Sequence, residues 1–203
     1  MNQEKVWDEI ARPWSEFRTK VSPTVEKFVK SQKGRILDVG CGSGRNFIKV
    51  KGLEWYAIDF SREMIKMSDE EAKRKKMQVN LVKAKSEDLP FDEGFFDSVL
   101  CFAVIHCVDS KAKRKKTIEE IFRVLRPGGQ ALIASWGPRS PRLKNKDKES
   151  FVPWTVREGE GKQMRYTYIF DLDELKELCE AAGFEVVSAW EERNVNVIVR
   201  KPE

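Results

Sequence analysis

Residues 35–44 read RILDVGCGSG, an apolar run that stops on closely spaced glycines. RILDV is short and almost wholly apolar, as expected of a strand buried on both faces. Gly40, Gly42 and Gly44 follow at once, and backbone without side chains lets a ligand approach the end of that strand. A helix is expected after the turn, its N-terminus offering free N–H groups to the same ligand. Strand, glycine turn and helix in this order open a doubly wound α/β sheet.

The remaining elements follow in the order such a sheet needs. EWYAID (54–59), VNLVKA (79–84), DSVLCFAV (97–104) and QALIASW (130–136) supply four more strands. SREMIKMSDEEAKRKK makes a helix that Ser61 can cap. In 111–126, Ile118, Ile121, Phe122 and Leu125 recur at the spacing of one helix face, and RPGG (126–129) stops it. VSPTVEKFVK starts a helix with Ser22 as N-cap and Pro23 at its first position. DLDELKELCEAAG has Asp171 as expected cap, Glu174 three residues later and Gly183 as terminator. FEVVSAW and NVNVIVR end the chain as two strands joined by a short turn. The expected fold is an α/β, Rossmann-like, doubly wound seven-stranded sheet, mostly parallel, with an antiparallel C-terminal hairpin strand. One domain over 1–203 is expected, with an N-terminal arm (1–33) and an insertion after strand five (137–170) as its non-standard parts.

The chain's 203 residues suffice for one sizeable core. Apolar residues at 40% against 35% charged mark a globular chain and not a disordered one. No apolar run approaches the roughly 20 residues needed to span a bilayer. MNQEKVWDEI lacks an apolar signal core, so the cytoplasm is the expected compartment. No two of the four cysteines form a CxxC pair and His106 is the only histidine, so no metal site is expected. The net charge of +5 is mild but concentrated in KRKK (73–76), KRKK (113–116) and RSPRLKNKDK (139–148). The first two read equally as solvated helix faces, the third as a basic loop; together they suggest a polyanionic partner.

The dinucleotide fingerprint needs glycine at its sixth position, where this chain has Arg45, and no GK[ST] follows to make a Walker loop. The glycine turn, Asp59 with Ser61 after strand two, SEDLPFDEGFFD (86–97) and RVLRPGG (123–129) together resemble the motifs of the class I S-adenosylmethionine-dependent methyltransferases, in order and in distance. The resemblance implies S-adenosyl-L-methionine as cofactor, leaving as S-adenosyl-L-homocysteine, with its methionine part in the glycine turn. It implies cofactor contacts from Asp38, Gly40, Gly42, Gly44, Phe60, Ser86, Glu87 and Cys101. Asp59, with two acceptor oxygens, suits the ribose hydroxyls. Many relatives carry an acid before the adenine-contacting stretch; here Lys85 and Ser86 stand there, which leaves the base edge to backbone groups around Ser86 and Glu87.

Beyond the cofactor half, WDEIARPWSEFR (7–18), FAVIHCV (102–108), FVPW (151–154), RYTYIFDLDEL (165–175) and EERNVNVIV (191–199) resemble the tRNA wobble-uridine methyltransferases that esterify 5-carboxymethyluridine at position 34. The chain departs from that family in having His106-Cys107 for two histidines, and Asn194-Val195 where a Trp usually follows the asparagine. The resemblance implies a tRNA anticodon loop as substrate and a small zinc-binding activator protein as partner. A carboxymethyl group with a pKa of roughly 4 is already the nucleophile at neutral pH, so a chain with one histidine suffices. Such a site needs a cation to hold the carboxylate. Arg18, in SEFR, is the expected one, with His106 as hydrogen-bond donor or stacking partner. Aromatics beside arginines suit an unstacked base: Arg165, Tyr166, Tyr168 and Asn194 are expected to face substrate, Trp154 and Phe170 to be structural. Two rivals are a small-molecule methyltransferase of the quinone or sterol kind, which needs no basic insertion, and a non-catalytic cofactor-binding RNA-associated subunit, which needs no intact glycine turn.

Overall fold

In the computed structural model, which describes residues 2–140, 143, 146–155 and 161–203, the five apolar runs form β1 (Gly34–Val39), β2 (Leu53–Asp59), β3 (Val79–Lys83), β4 (Phe96–Phe102) and β5 (Leu125–Trp136). Two strands of the insertion, β6 (Glu149–Thr155) and β7 (Lys162–Tyr168), pair with each other alone. The last two are β8 (Glu185–Glu191) and β9 (Asn194–Arg200). The main sheet has the order β3-β2-β1-β4-β5-β9-β8, parallel through β5, with β9 antiparallel between β5 and β8.

Both faces of β1 are buried, as its composition requires. Leu37 and Val39 pack with Ile118 and Ile121 of α4 (Lys111–Val124) and with Leu175 and Cys179 of α5 (Leu172–Ala181). Ile36, on the other face, packs with Val25, Phe28 and Val29 of α2 (Pro23–Lys30) and with Ala72 of α3 (Arg62–Arg74). The order of connection reverses between β1 and β4, and the carboxyl ends of those strands open a crevice there, the usual ligand position in such sheets. α1 (Gln3–Phe17) lies against α3 on one side and β7 on the other.

Three expectations are corrected. No helix follows the glycine turn: residues 42–46 are turns and 47–50 irregular, with Gly44 N–H bonded to Cys41 O (3.1 Å) and Phe47 N–H to Gly44 O (3.2 Å). Phe47 leaves the helical path to stack edgewise on Trp55, 5.6 Å between ring centres. Asp171 occupies the N-cap of α5 without a capping bond from its side chain, because it pairs with Lys148 at 3.0 Å, while Glu174 takes the Tyr168 hydroxyl. The two KRKK runs are not simply solvated faces, since Arg114 is buried and Lys75 half-buried. Of the basic loop, Pro141, Arg142, Lys144 and Asn145 lie outside the described residues.

Candidate active site

A cavity of about 300 Å³ occupies the crevice, floored by the turn after β1. A side chain at Gly40 (φ +67°) would meet Val104 Cγ2 at 2.6 Å, so the backbone can pass there only as glycine. At Gly42 (φ +55°) a Cβ would meet only Trp14 Nε1, at 3.9 Å; it would take room from the cavity. Gly42 N–H donates to Asp59 Oδ2 (2.9 Å) and Ser61 N–H to Asp59 Oδ1 (3.0 Å). These two bonds hold the carboxylate at the end of β2 and leave each oxygen a further lone pair. Burial raises the pKa of Asp59 to about 6, against the pull of those backbone donors, and the charge of Asp8 adds to the rise. Phe60, Ser86 and Glu87 line the same cavity. Asp8, from α1, accepts the Ser61 hydroxyl (2.6 Å) and Glu63 N–H (3.2 Å), tying α1 to the start of α3.

α1 and the β6–β7 hairpin supply the rest of the wall. Gln3 joins them: its Oε1 accepts Tyr166 N–H (2.9 Å) and its Nε2 donates to Met164 O (3.3 Å). Trp7 and Trp14, seven residues apart on α1, share a helix face and meet edge to face at 5.1 Å. Arg165, from β7, is only 2% exposed. Its guanidinium carbon lies 5.7 Å from the ring centre of Trp7, 5.1 Å from Trp14, 5.6 Å from Trp136 and 5.2 Å from Trp154. Four indole faces stand where water would otherwise solvate the cation. Arg18, the C-cap of α1, lies 5.1 Å from the Trp14 ring, so Trp14 carries both arginines.

His106 sits on the short 3₁₀ turn Ile105–Cys107 after β4 and stacks on Trp136. Burial, with Arg165 and Arg18 nearby, holds its pKa down to about 3. The imidazole is therefore neutral at physiological pH. Its Nδ1 accepts Trp136 N–H at 3.4 Å, which assigns the proton to Nε2 and makes that nitrogen a donor.

Of the residues expected at the site, the cavity brings together Gly40, Gly42, Asp59, Phe60, Ser86, Glu87, Arg18, His106 and Arg165. Six others lie outside its lining. Asp38 is fully buried behind the turn, where Asn46 Nδ2 approaches its Oδ2 at 3.4 Å and burial raises its pKa to about 7. Gly44 faces Phe47 and α3: an added Cβ would lie 2.7 Å from the Phe47 ring and 3.2 Å from Ser68 Cα. Cys101 is buried within β4 in the main core. Tyr166 and Tyr168 are a correction with a simple cause, since alternation along β7 puts them on the face opposite Arg165. There they grip Arg114, whose Nη1 donates to Tyr166 Oη (2.8 Å) and whose guanidinium lies 3.9 Å from the Tyr168 ring centre. Asn194 begins β9 opposite Trp136, and its carbonyl accepts Glu192 N–H (2.9 Å) and Asn196 Nδ2 (3.0 Å). Phe170 is core, whereas Trp154 belongs to the ring of indoles around Arg165. Sequence reasoning passed over Gln3, Trp7, Trp14 and Trp136; the seven-residue spacing of the first two tryptophans was the available signal.

The family described as a methyltransferase domain matches residues 37–133. The chain is 30% identical to the tRNA (carboxymethyluridine(34)-5-O)-methyltransferase of Schizosaccharomyces pombe, over 94% of this chain and 91% of that protein. With the Arabidopsis thaliana protein of the same name it shares 31% identity over 74% of its own length, while spanning only 35% of the plant protein. Among solved structures, a candidate methyltransferase in complex with the Haloferax volcanii Trm112 methyltransferase activator superposes with a TM-score of 0.69 at 17% identity, over 100% of this chain and 98% of that one. That last likeness speaks for the fold.

Proposed function

This chain belongs to the class I S-adenosylmethionine-dependent methyltransferases, in the family of the fission-yeast tRNA (carboxymethyluridine(34)-5-O)-methyltransferase, and from that premise we propose that it esterifies the carboxylate of 5-carboxymethyluridine at the wobble position of tRNA. S-adenosylmethionine is the cofactor, and the residues present fit it. Gly40 and Gly42 leave the floor open to close approach, and Asp59 holds spare lone pairs for a diol beside the ring of Phe60. Ser86 and Glu87 border the same space. When bound, the cofactor supplies an electrophilic methyl group on a positively charged sulfur.

The observation that carries the acceptor is the company of Arg18, Arg165 and neutral His106 in one cavity. Two guanidiniums suit a carboxylate, which enters ionised and needs no base. Methyl transfer cancels the acceptor's negative charge, so a cation that binds the ground state too tightly slows the step. A neutral Nε2–H donor orients an oxygen with less of that penalty. The indoles beside the arginines suit an unstacked base. In this proposal the substrate is a tRNA anticodon loop, the compartment is the cytoplasm, and a small activator of the kind bound to the Haloferax neighbour is a partner.

The test is incubation with methyl-labelled cofactor and total tRNA, with and without a co-expressed activator, followed by nuclease digestion and nucleoside analysis. An alkali-labile labelled uridine is the expected product. Label confined to small organic extracts would replace this reading with the small-molecule one.

A further inference from the structure

Lys75 follows the last residue of α3 and turns inward, unlike its neighbours in the KRKK run, Lys73 and Arg74, which pair with Asp69 and Glu71 at the surface. Its ammonium donates to the backbone oxygens of Gly44 (3.4 Å), Arg45 (3.0 Å) and Phe47 (2.9 Å). Glu71 lies 3.2 Å away as counter-ion. In an α-helix those three carbonyls would accept amides four residues on. Here 42–46 are turns and 47–50 irregular, and the carbonyls converge on one cation. Gly40 to Ser43, with Arg45 and Asn46, line the cavity from the other side of the same segment. Three charge-assisted bonds on one face of the segment therefore set the shape of its opposite face.

We propose that Lys75 is a positioning residue for the cofactor, an ammonium that takes the place of the missing helix and fixes the turn against which the methionine part binds. This stands on the cofactor alone and is independent of the nature of the methyl acceptor. Asp59, which the reading above gives to the ribose, stands at the end of β2 and takes one bond from Gly42 in that segment and a second from Ser61 N–H outside it, so the ammonium bears on it less directly than on the turn itself. The two ends of the cofactor are therefore expected to respond differently to loss of the ammonium.

The experiment is calorimetric titration of the full chain and of Lys75→Met with two ligands, S-adenosylhomocysteine and 5′-methylthioadenosine, the second lacking the amino-acid end. Lys75→Met is expected to weaken S-adenosylhomocysteine about tenfold, the scale of one lost charged hydrogen bond, and to leave methylthioadenosine within about twofold. Lys75→Arg, which keeps the charge, is expected to restore most of the loss. Equal weakening of both ligands, or no change in either, overturns the proposal, because a merely structural lysine would not separate them. Should Lys75→Met fail to fold, Lys75→Gln keeps a neutral donor and is judged by the same ratio.

Discussion

The imidazole of His106 lies on the indole of Trp136, 4.6 Å between ring centres and 20° from parallel, while its Nδ1 accepts the Trp136 backbone N–H. With its pKa held to about 3, it stays neutral, with its Nε2 proton in place, throughout the physiological range. At saturating cofactor and tRNA, kcat is therefore expected to be flat from about pH 6.5 to 8.5, where an ordinary histidine base would impose a limb near 6.5. His106→Gln, which can still donate, should retain more activity than His106→Ala, with losses of about tenfold and about a hundredfold. Initial-rate pH profiles of the three proteins decide this.

Arg18 is held at the end of α1 beside Trp14, on the acceptor side of the proposal. Arg18→Ala should lower kcat/KM for tRNA about a hundredfold while moving cofactor affinity less than about twofold. Single-turnover rates and cofactor titrations separate the two. Equal loss of both would reject an orienting role.

Arg114 is buried, and it bonds Val108 O (3.0 Å) and Tyr166 Oη (2.8 Å) with Glu149 at 3.4 Å. It fastens the hairpin from the side opposite Arg165. Arg114→Met is expected to destabilise the fold by about 2–4 kcal/mol, since the tyrosine and the carbonyl lose a charged donor. Tyr166→Phe should cost about 1 kcal/mol and leave KM for tRNA unchanged, as befits a residue off the cavity. Urea unfolding and steady-state kinetics read the two effects. A large rise in KM for Tyr166→Phe would return that tyrosine to the substrate side.

For Asp59, two consequences of pH run in opposite directions. Its folded pKa, about 6, lies above the ordinary 3.8, so the folded state binds its proton more tightly than the unfolded chain does. Its contribution to stability is thus full below 3.8 and lost as the pH rises through about 6. Cofactor binding needs the ionised acceptor and should weaken as the pH falls through about 6. Titrations of S-adenosylhomocysteine between pH 5 and 8, beside thermal melts of the ligand-free protein, are expected to show the two trends crossing. Asp59→Asn should abolish the pH dependence of binding at the cost of affinity.

The main sheet was legible because each of its parallel strands is an apolar run between a turn and a helix signal, and connection rules leave little choice of order. The failures were of a different kind. Residues 41–50 look helical by position, but Trp55, which donates its indole N–H to Ile48 O at 3.1 Å, and Lys75 lie outside the segment that they shape. The hairpin was hidden by Pro153 and by the charges of β7, which blur a period-two pattern. Once β7 is a strand, Arg165 and the two tyrosines cannot share a face. The cluster of Trp7, Trp14, Trp136 and Trp154 gathers residues from three distant parts of the chain, and no local pattern reports such a meeting.

The two bonds of Gln3 to the hairpin and the two of Asp8 to Ser61 and Glu63 at the start of α3 make α1 a bridge between parts with separate duties. The sheet end supplies the glycine floor and Asp59, whereas α1 and β7 supply Arg18, Trp7, Trp14 and Arg165. A scaffold divided in this way can exchange what it modifies by replacing its bridge and flap as a pair, with the half that grips the donor left as it was.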